Sequence, residues 1–353
     1  MSLLTSLRTR SAAVAAVAAA ASLLLAGCVG GSATGSGSGS GAASGGTVLH
    51  VVGFSVPKEA NGAIEKKFAA TPAGAGVTFE ESYGASGDQS RAVVNGLQAD
   101  YVSFSLEPDV TRLVKAGLVD PAWSSGPTKG MVADSVVVIA VRKGNPKNIR
   151  GWADLVKPGV KIITPNPASS GSARWNTLAA YQQVIADGGS PTEAKAYLTS
   201  FFRNVVALPG SGRDATNAFL SGDADALISY ENEAILARQS GEEFDYVVPD
   251  ETLKIENPAA VTTKANPKAK EYLDFVLSAD GQAEFVRKGF RPVIAGTPTT
   301  DVQGANDQAK PFPTPAKLFT VTELGGWDAV NTKFFDEKSG IVPQVQAETG
   351  KAQ

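Results

Sequence analysis

The sequence is poor in the side chains from which most active sites and disulfide frameworks are built. Its 353 residues include one cysteine, Cys28, and one histidine, His50, which falls inside a predicted strand. A single cysteine excludes an internal disulfide and a cysteine-based metal cluster. A single histidine leaves no zinc site built from several His and Cys ligands. Because this histidine lies inside a predicted strand, no Ser-His-Asp triad is expected. Catalysis by carboxylates alone is the enzymatic alternative that remains open.

The chain also lacks an excess of basic charge. Lys and Arg number 32 against 35 Asp and Glu, which gives a formal net charge of −3 and argues against binding nucleic acid. Hydrophobic residues make up 43% of the chain and charged residues 19%, as is usual for a soluble protein, and the length is sufficient for two domains.

No apolar run is long enough for a membrane span of about 20 residues. Two arginines precede an Ala, Leu and Val run at 11–26, which is typical of a secretory signal. The run ends in Leu-Ala-Gly-Cys28, which resembles the lipobox of bacterial lipoproteins. The resemblance implies a signal peptide at 1–27, a lipid on Cys28 and a location on the outer face of the cytoplasmic membrane, extracytoplasmic or periplasmic. An unmodified free thiol at Cys28 is the alternative.

Residues 28–46 are almost entirely Gly, Ser and Ala, which predicts a flexible linker. Predicted strands and helices then alternate from Thr47 onward, as in open and mostly parallel α/β sheets. A late strand is predicted at 261–263. The polar tail around 317–327 is predicted to pack against the first domain.

Three Gly/Ser loops each connect a predicted strand to a predicted helix. Backbone N–H groups at the start of a helix have no partner within the helix, and together with the macrodipole they favour an anion. A fourth strand ends on an aromatic residue, Tyr230, and ligands of open α/β sheets lie at such carboxyl ends. The alternative for the central loop is that Ser169 or Ser170 merely caps the following helix. The three loops contain Ser86; Ser170, Gly171 and Ser172; and Gly212.

Several of these motifs taken together resemble the sulfate-binding proteins of bacterial ABC importers, over about residues 48–327. The motifs are Tyr83-Gly-Ala-Ser-Gly-Asp-Gln, Val141-Arg-Lys-Gly-Asn-Pro, Ile163-Thr-Pro-Asn-Pro-Ala-Ser-Ser-Gly-Ser-Ala-Arg-Trp-Asn, Tyr230-Glu-Asn-Glu-Ala and Lys317-Leu-Phe-Thr.

The resemblance implies a two-lobed periplasmic-binding-protein fold of type II, an α/β architecture with the ligand between the lobes. Laid on this sequence, lobe 1 comprises 47–137 and 258–353, including the C-terminal tail, and lobe 2 comprises 138–257. The strand crossovers are expected near 137–141 and 257–261.

In that family the anion is held by neutral hydrogen-bond donors. The resemblance assigns sulfate binding here to six residues and a surrounding role to four more. The six are Ser86, Ser170, Gly171, Ser172, Gly212 and Tyr230; the four are Ser55, Gly87, Arg174 and Arg213. The two arginines are expected to brace their loops, with direct anion contact as the alternative, and core packing is expected for Trp175.

Three positions depart from the family pattern. The family usually has Trp at the place of Tyr230, a second Gly at the place of Ser172 and often Asp at the place of Ser55. A phenol can accept a hydrogen bond as well as donate one. The choice of sulfate over a related oxyanion such as thiosulfate, or less readily molybdate or phosphate, is therefore open.

These observations predict a receptor that delivers sulfate to an ABC permease and its ATPase. The protein is expected to be a monomer without a cofactor, a metal or an enzymatic activity. A surface lipoprotein with no role in transport is the remaining alternative.

Overall fold

The computed structural model describes residues 46–352. The predicted signal peptide, the lipidated Cys28 and all of the predicted linker except Gly46 lie outside this range. The strands of the described part are β1 (Thr47–Phe54), β2 (Val77–Gly84), β3 (Tyr101–Ser103), β4 (Met131–Arg142), β5 (Ile162–Ile163), β6 (Val205–Ala207), β7 (Ala226–Tyr230), β8 (Phe244–Val247), β9 (Glu251–Val261) and β10 (Lys317–Phe319).

Helices follow most of these strands. They are α1 (Lys58–Ala69), α2 (Ser86–Val94), α3 (Glu107–Lys115), α4 (Trp152–Leu155), α5 (Gly171–Ala186), α6 (Pro191–Asn204), α7 (Gly212–Ser221), α8 (Glu231–Gln239), α9 (Lys268–Val276), α10 (Ala279–Arg287), α11 (Gly326–Val330), a π-helical turn (Asn331–Phe335) and α12 (Ile341–Glu348). Within residues 46–352, none of the helices combines the length and the apolarity that a membrane crossing requires.

The strands form a ten-stranded sheet in the order β2-β1-β3-β9-β4-β7-β5-β6, with β10 beside β9 and β8 beside β4. The pairs made by β1 and by β5 are parallel. The pairs that β4 makes, and the pair of β3 with β9, are antiparallel. The sheet is therefore mixed, and the prediction of a mostly parallel sheet holds only on either side of β4 and β9.

Two long strands connect the two parallel parts of the sheet. The first half of β4 pairs with β9 from Met131 to Val136, and the second half pairs with β7 and β8 from Val137 onward. The last residues of β9 pair with β3 instead. Ten of the twelve residues of β4 are buried, as a strand covered on both faces requires. The division into two lobes at these strands remains a prediction.

Strand β9 begins ten residues before the strand predicted at 261–263. Its first half has polar residues at alternate positions, Lys254 and Glu256, which weakened the apolar signal. The backbone of both residues pairs with β4. Their side chains form an ion pair, with Nζ of Lys254 3.1 Å from Oε1 of Glu256. The strand therefore exists because of its neighbour in the sheet.

The prediction that the tail at 317–327 packs against the first domain is wrong for Trp327. The rings of Trp327 and Trp175 lie 4.9 Å apart, and those of Phe334 and Tyr181 lie 4.8 Å apart. Trp175 and Tyr181 both belong to α5, in the segment assigned to the second lobe. Burial of large aromatic surfaces places the tail on this helix.

Candidate functional site

Three helices begin close together at the carboxyl ends of their strands. The N–H of Gly87 in α2 donates to the carbonyl oxygen of Ser169, just before α5, at 3.2 Å. A Cβ atom on Gly212, the first residue of α7, would lie 3.2 Å from the Oγ of Ser172 in α5. The starts of α2 and α7 are therefore both beside the start of α5, and the three macrodipoles place positive potential in one region.

The start of α5 presents several donors that the protein itself does not use. Ser170 is the N-cap residue, yet its side chain makes no capping hydrogen bond. The Ser172 hydroxyl is buried and has no hydrogen-bond partner within residues 46–352. In the same part of the chain, no carbonyl accepts from the N–H groups of Gly171 and Ser172. A buried hydroxyl and free helical amides form a cradle for an acceptor such as an anion.

Ser86 lies at the same place but its hydroxyl is already engaged. It is the first residue of α2, with Ala85 as the N-cap, whereas Ser170 precedes its helix. Its Oγ donates to Oδ2 of Asp109 at 2.6 Å and accepts from the N–H of Ser105 at 2.9 Å. Asp109 also accepts from Arg112 at 2.8 Å. In this arrangement the Ser86 hydroxyl can offer its proton to an anion only by leaving Asp109.

Tyr230 is fully buried at the end of β7, and its phenol oxygen lies 2.6 Å from the Oγ of Ser105. Burial raises the pKa of the Tyr230 phenol, and hydrogen bonds from Ser105 and Asn257 oppose that shift without cancelling it. The phenol is therefore neutral at physiological pH and retains its proton. Tyr230 can donate from the position where the family resemblance expects a donor.

Ser105 is the residue at this site that the sequence motifs did not indicate. Its carbonyl oxygen accepts from Nε1 of Trp175 at 3.0 Å and from Nδ2 of Asn257 at 3.3 Å. Together with its contacts to Ser86 and Tyr230, these bonds make it the centre of the polar network. Its only signal in the sequence is its position just beyond the end of β3, comparable to that of Ser86 beyond β2.

The two arginines point away from the starts of their helices. Arg213 makes three hydrogen bonds to the buried carboxylate of Glu233, the shortest at 2.7 Å, and donates to the carbonyl of Val56 at 3.1 Å. Burial opposes its charge, but the Glu233 carboxylate outweighs burial and raises the pKa of Arg213. Arg174 donates to Oδ1 of Asn331 at 3.0 Å. This geometry is that of side chains that brace their loops, and direct anion contact was the alternative.

The other residues assigned to the site lie around it. The N–H of Ser55 donates to the carbonyl of Gly84 at 2.9 Å, so this half-buried residue holds the ends of β1 and β2 together. Trp175 is fully buried, and its indole N–H is used by Ser105. The donors gathered at the site are therefore amides and hydroxyls. Within residues 46–352, no cluster of three or more His, Cys, Asp and Glu side chains could hold a metal ion.

Comparisons with known proteins show the family to which the chain belongs. Residues 49–291 match the family model described as bacterial extracellular solute-binding protein. The chain is 39% identical to a sulfate-binding protein of Synechococcus elongatus over 85% of this chain and 87% of that protein. It is 35% identical to a thiosulfate-binding protein of Pseudomonas aeruginosa over 67% of this chain and 74% of that protein.

A solved structure supports the fold. The sulfate-binding protein SubI from Mycobacterium tuberculosis H37Rv superimposes with a TM-score of 0.76 and is 44% identical, covering 82% of this chain and all of that chain.

Proposed function

This chain belongs to the bacterial extracellular solute-binding proteins, and from this premise we propose that it captures sulfate and delivers it to an ABC importer. Members of this family are binding proteins, so the chain is not an enzyme. The observation that carries the proposal is the convergence of three helix N-termini with neutral hydroxyls, among them the buried and unpartnered hydroxyl of Ser172. The relatives named as sulfate-binding proteins favour sulfate over thiosulfate.

A site made only of neutral donors suits sulfate for a simple reason. A fully ionised sulfate has acceptors alone, so amides and hydroxyls satisfy it without a counter-charge, and hydrogen bonds to an ion are about twice as strong as neutral ones. Hydrogen phosphate carries a proton that needs an acceptor. Leaving that proton unpaired costs roughly 1–3 kcal/mol, a factor of about 5–150 in affinity.

We propose that six residues provide these donors. The backbone N–H groups at the starts of α5 and α7 and the hydroxyls of the serines contribute most of them, and Tyr230 replaces the indole donor of the wider family. Ser86 contributes after its proton turns from Asp109 to the anion. The six are Ser86, Ser170, Gly171, Ser172, Gly212 and Tyr230. Ser55, Gly87, Arg174 and Arg213 surround them.

The two proposed lobes, 47–137 with 258–353 and 138–257, close over the anion from opposite sides. The hydrogen bond from Gly87 to Ser169 joins a residue of the proposed lobe 1 to a residue of the proposed lobe 2 beside the candidate site. An ABC permease with its ATPase then receives the sulfate. We further propose that the receptor is a monomer anchored by a lipid on Cys28, following a signal peptide at 1–27 and preceding a flexible linker.

Isothermal titration of the full-length chain with sulfate, thiosulfate, phosphate and molybdate tests the ligand. We expect one sulfate per chain, bound more tightly than thiosulfate, with phosphate weaker by about 5–150-fold. Equal binding of sulfate and phosphate would refute the donor-only site. A preference for thiosulfate or molybdate would keep the anion receptor and change its cargo.

A further inference from the structure

The Oγ of Ser105 lies within hydrogen-bond distance of the Tyr230 hydroxyl, at 2.6 Å. We propose that Ser105 is a specificity-determining positioning residue: its hydroxyl donates to the phenol oxygen of Tyr230, so that the phenol presents a proton, and no free lone pair, to the bound anion. This inference rests on the proposed function. It extends that function to a residue outside the motifs of the three loops.

The surroundings of Ser105 leave its backbone little freedom. Its N–H is held by Ser86 and its carbonyl by Trp175 and Asn257. The residue is 1% exposed, and its Oγ would lie 2.4 Å from a Cβ atom on Gly171. The hydroxyl is thus between the phenol and the start of α5, which is the helix end that holds the unused donors. Rotation of its O–H is the main remaining freedom.

The pair of hydroxyls formed by Ser105 and Tyr230 leaves one proton for the anion. The two hydroxyls, 2.6 Å apart, carry two protons and share one hydrogen bond, so one proton remains for a third partner. The phenol is the more acidic of the two groups and therefore the better donor to a dianion. Ser105 then donates to the phenol oxygen and occupies one of its lone pairs, while the side-chain amide of Asn257 donates to the other. A chain of two hydrogen bonds in the same direction also strengthens each of them.

Selectivity between oxyanions follows from the occupied lone pair. Sulfate needs only the phenol proton, whereas hydrogen phosphate could use a free phenol lone pair to accept its own proton. Without the Ser105 hydroxyl, the Tyr230 oxygen regains that acceptor and the penalty on phosphate decreases. Ser105 should therefore influence the sulfate to phosphate ratio through Tyr230, and not merely the stability of the fold.

The test is a double-mutant cycle in the full-length chain, titrated with inorganic sulfate and inorganic phosphate. Ser105→Ala should lower the sulfate to phosphate affinity ratio by up to about 150-fold and by at least about 5-fold. In a Tyr230→Phe background the same replacement should leave the ratio unchanged within about twofold. Ser229→Ala is the matched control, because this buried hydroxyl next to Tyr230 has no partner within residues 46–352. It should leave both affinities unchanged.

The outcomes separate the inference from the function on which it rests. If wild type binds sulfate but Ser105→Ala lowers both affinities by the same factor, Ser105 has only a structural role and the inference is overturned. A ratio that still changes in the Tyr230→Phe background overturns it as well. A wild-type chain that binds neither anion overturns both the inference and the proposed sulfate receptor. Thermal unfolding of each variant without anion shows that the folded state is retained.

Discussion

Replacing Gly171 with alanine tests how closely the start of α5 approaches the segment after β3. An added Cβ would lie 2.4 Å from Oγ and 2.6 Å from Cβ of Ser105, and 2.8 Å from Cγ of Leu106. Such contacts are too short to be tolerated. Ser105 cannot rotate away as a whole, because its backbone is bonded to Ser86 and to the Trp175 side chain. The two segments must therefore separate.

The size of the effect follows from that separation. Ordinary contact begins near 3.4 Å, so the nearest pair must move apart by about 1 Å. The bond from Trp175 to Ser105, now 3.0 Å, and the bonds from α5 to an anion would then exceed the useful range of about 3.2 Å. Losing two hydrogen bonds to a charged group, at about 1.5–3 kcal/mol each, weakens sulfate binding by more than about 100-fold.

A graded series of glycine replacements gives the assay its control. A Cβ on Gly212 would lie 3.1 Å from Val56 and 3.2 Å from Ser172, whereas a Cβ on Gly210 in the same loop would meet nothing within 4 Å. In calorimetric titration, the loss of sulfate affinity should be largest for Gly171→Ala and smaller for Gly212→Ala. Gly210→Ala should bind sulfate as tightly as wild type. A Gly171→Ala chain that is folded and binds sulfate within threefold of wild type would refute the reasoning.

Two further predictions concern buried charges. Arg213→Met leaves the charge of the buried Glu233 carboxylate unpaired, so the free energy of unfolding without anion should fall by about 3–5 kcal/mol. The double variant Arg213→Met with Glu233→Met should lose less. Unchanged stability together with lost sulfate binding would instead make Arg213 a ligand of the anion. Burial and the neighbouring Glu81 raise the pKa of Glu65 from 4.5 to about 8. Between these two pKa values the folded state keeps a proton on Glu65 that the unfolded chain has released. The free energy of unfolding that Glu65 contributes is therefore fully present below pH 4.5 and is lost as the pH rises through about 8. The loss is at most about 1.4 kcal/mol per pH unit. Denaturant unfolding measured at several pH values across this range should show that the free energy of unfolding depends less on pH in Glu65→Gln than in wild type. An unaltered dependence on pH would contradict the raised pKa of Glu65.

Much of the fold could be predicted from local patterns. The apolar run of β4 indicated a buried strand, and the Gly/Ser stretches before α5 and α7 indicated the starts of helices; the structure has these elements. The first half of β9 was missed because polar residues alternate along it. The tail was placed wrongly because the partner of Trp327, Trp175, is distant in the chain. Contacts between distant segments leave no local pattern to read.

The candidate site divides in the same way. The sequence by itself determined which loops carry free amides and hydroxyls, because Gly and Ser after a strand and before a helix produce them wherever the loop lies. Only the tertiary structure decided that these loops meet, that the Ser86 hydroxyl is directed to Asp109, and that Ser105 joins Tyr230. Hydrogen bonds are directional and short-ranged, so the partner of a buried hydroxyl depends on neighbours that only the packed chain supplies.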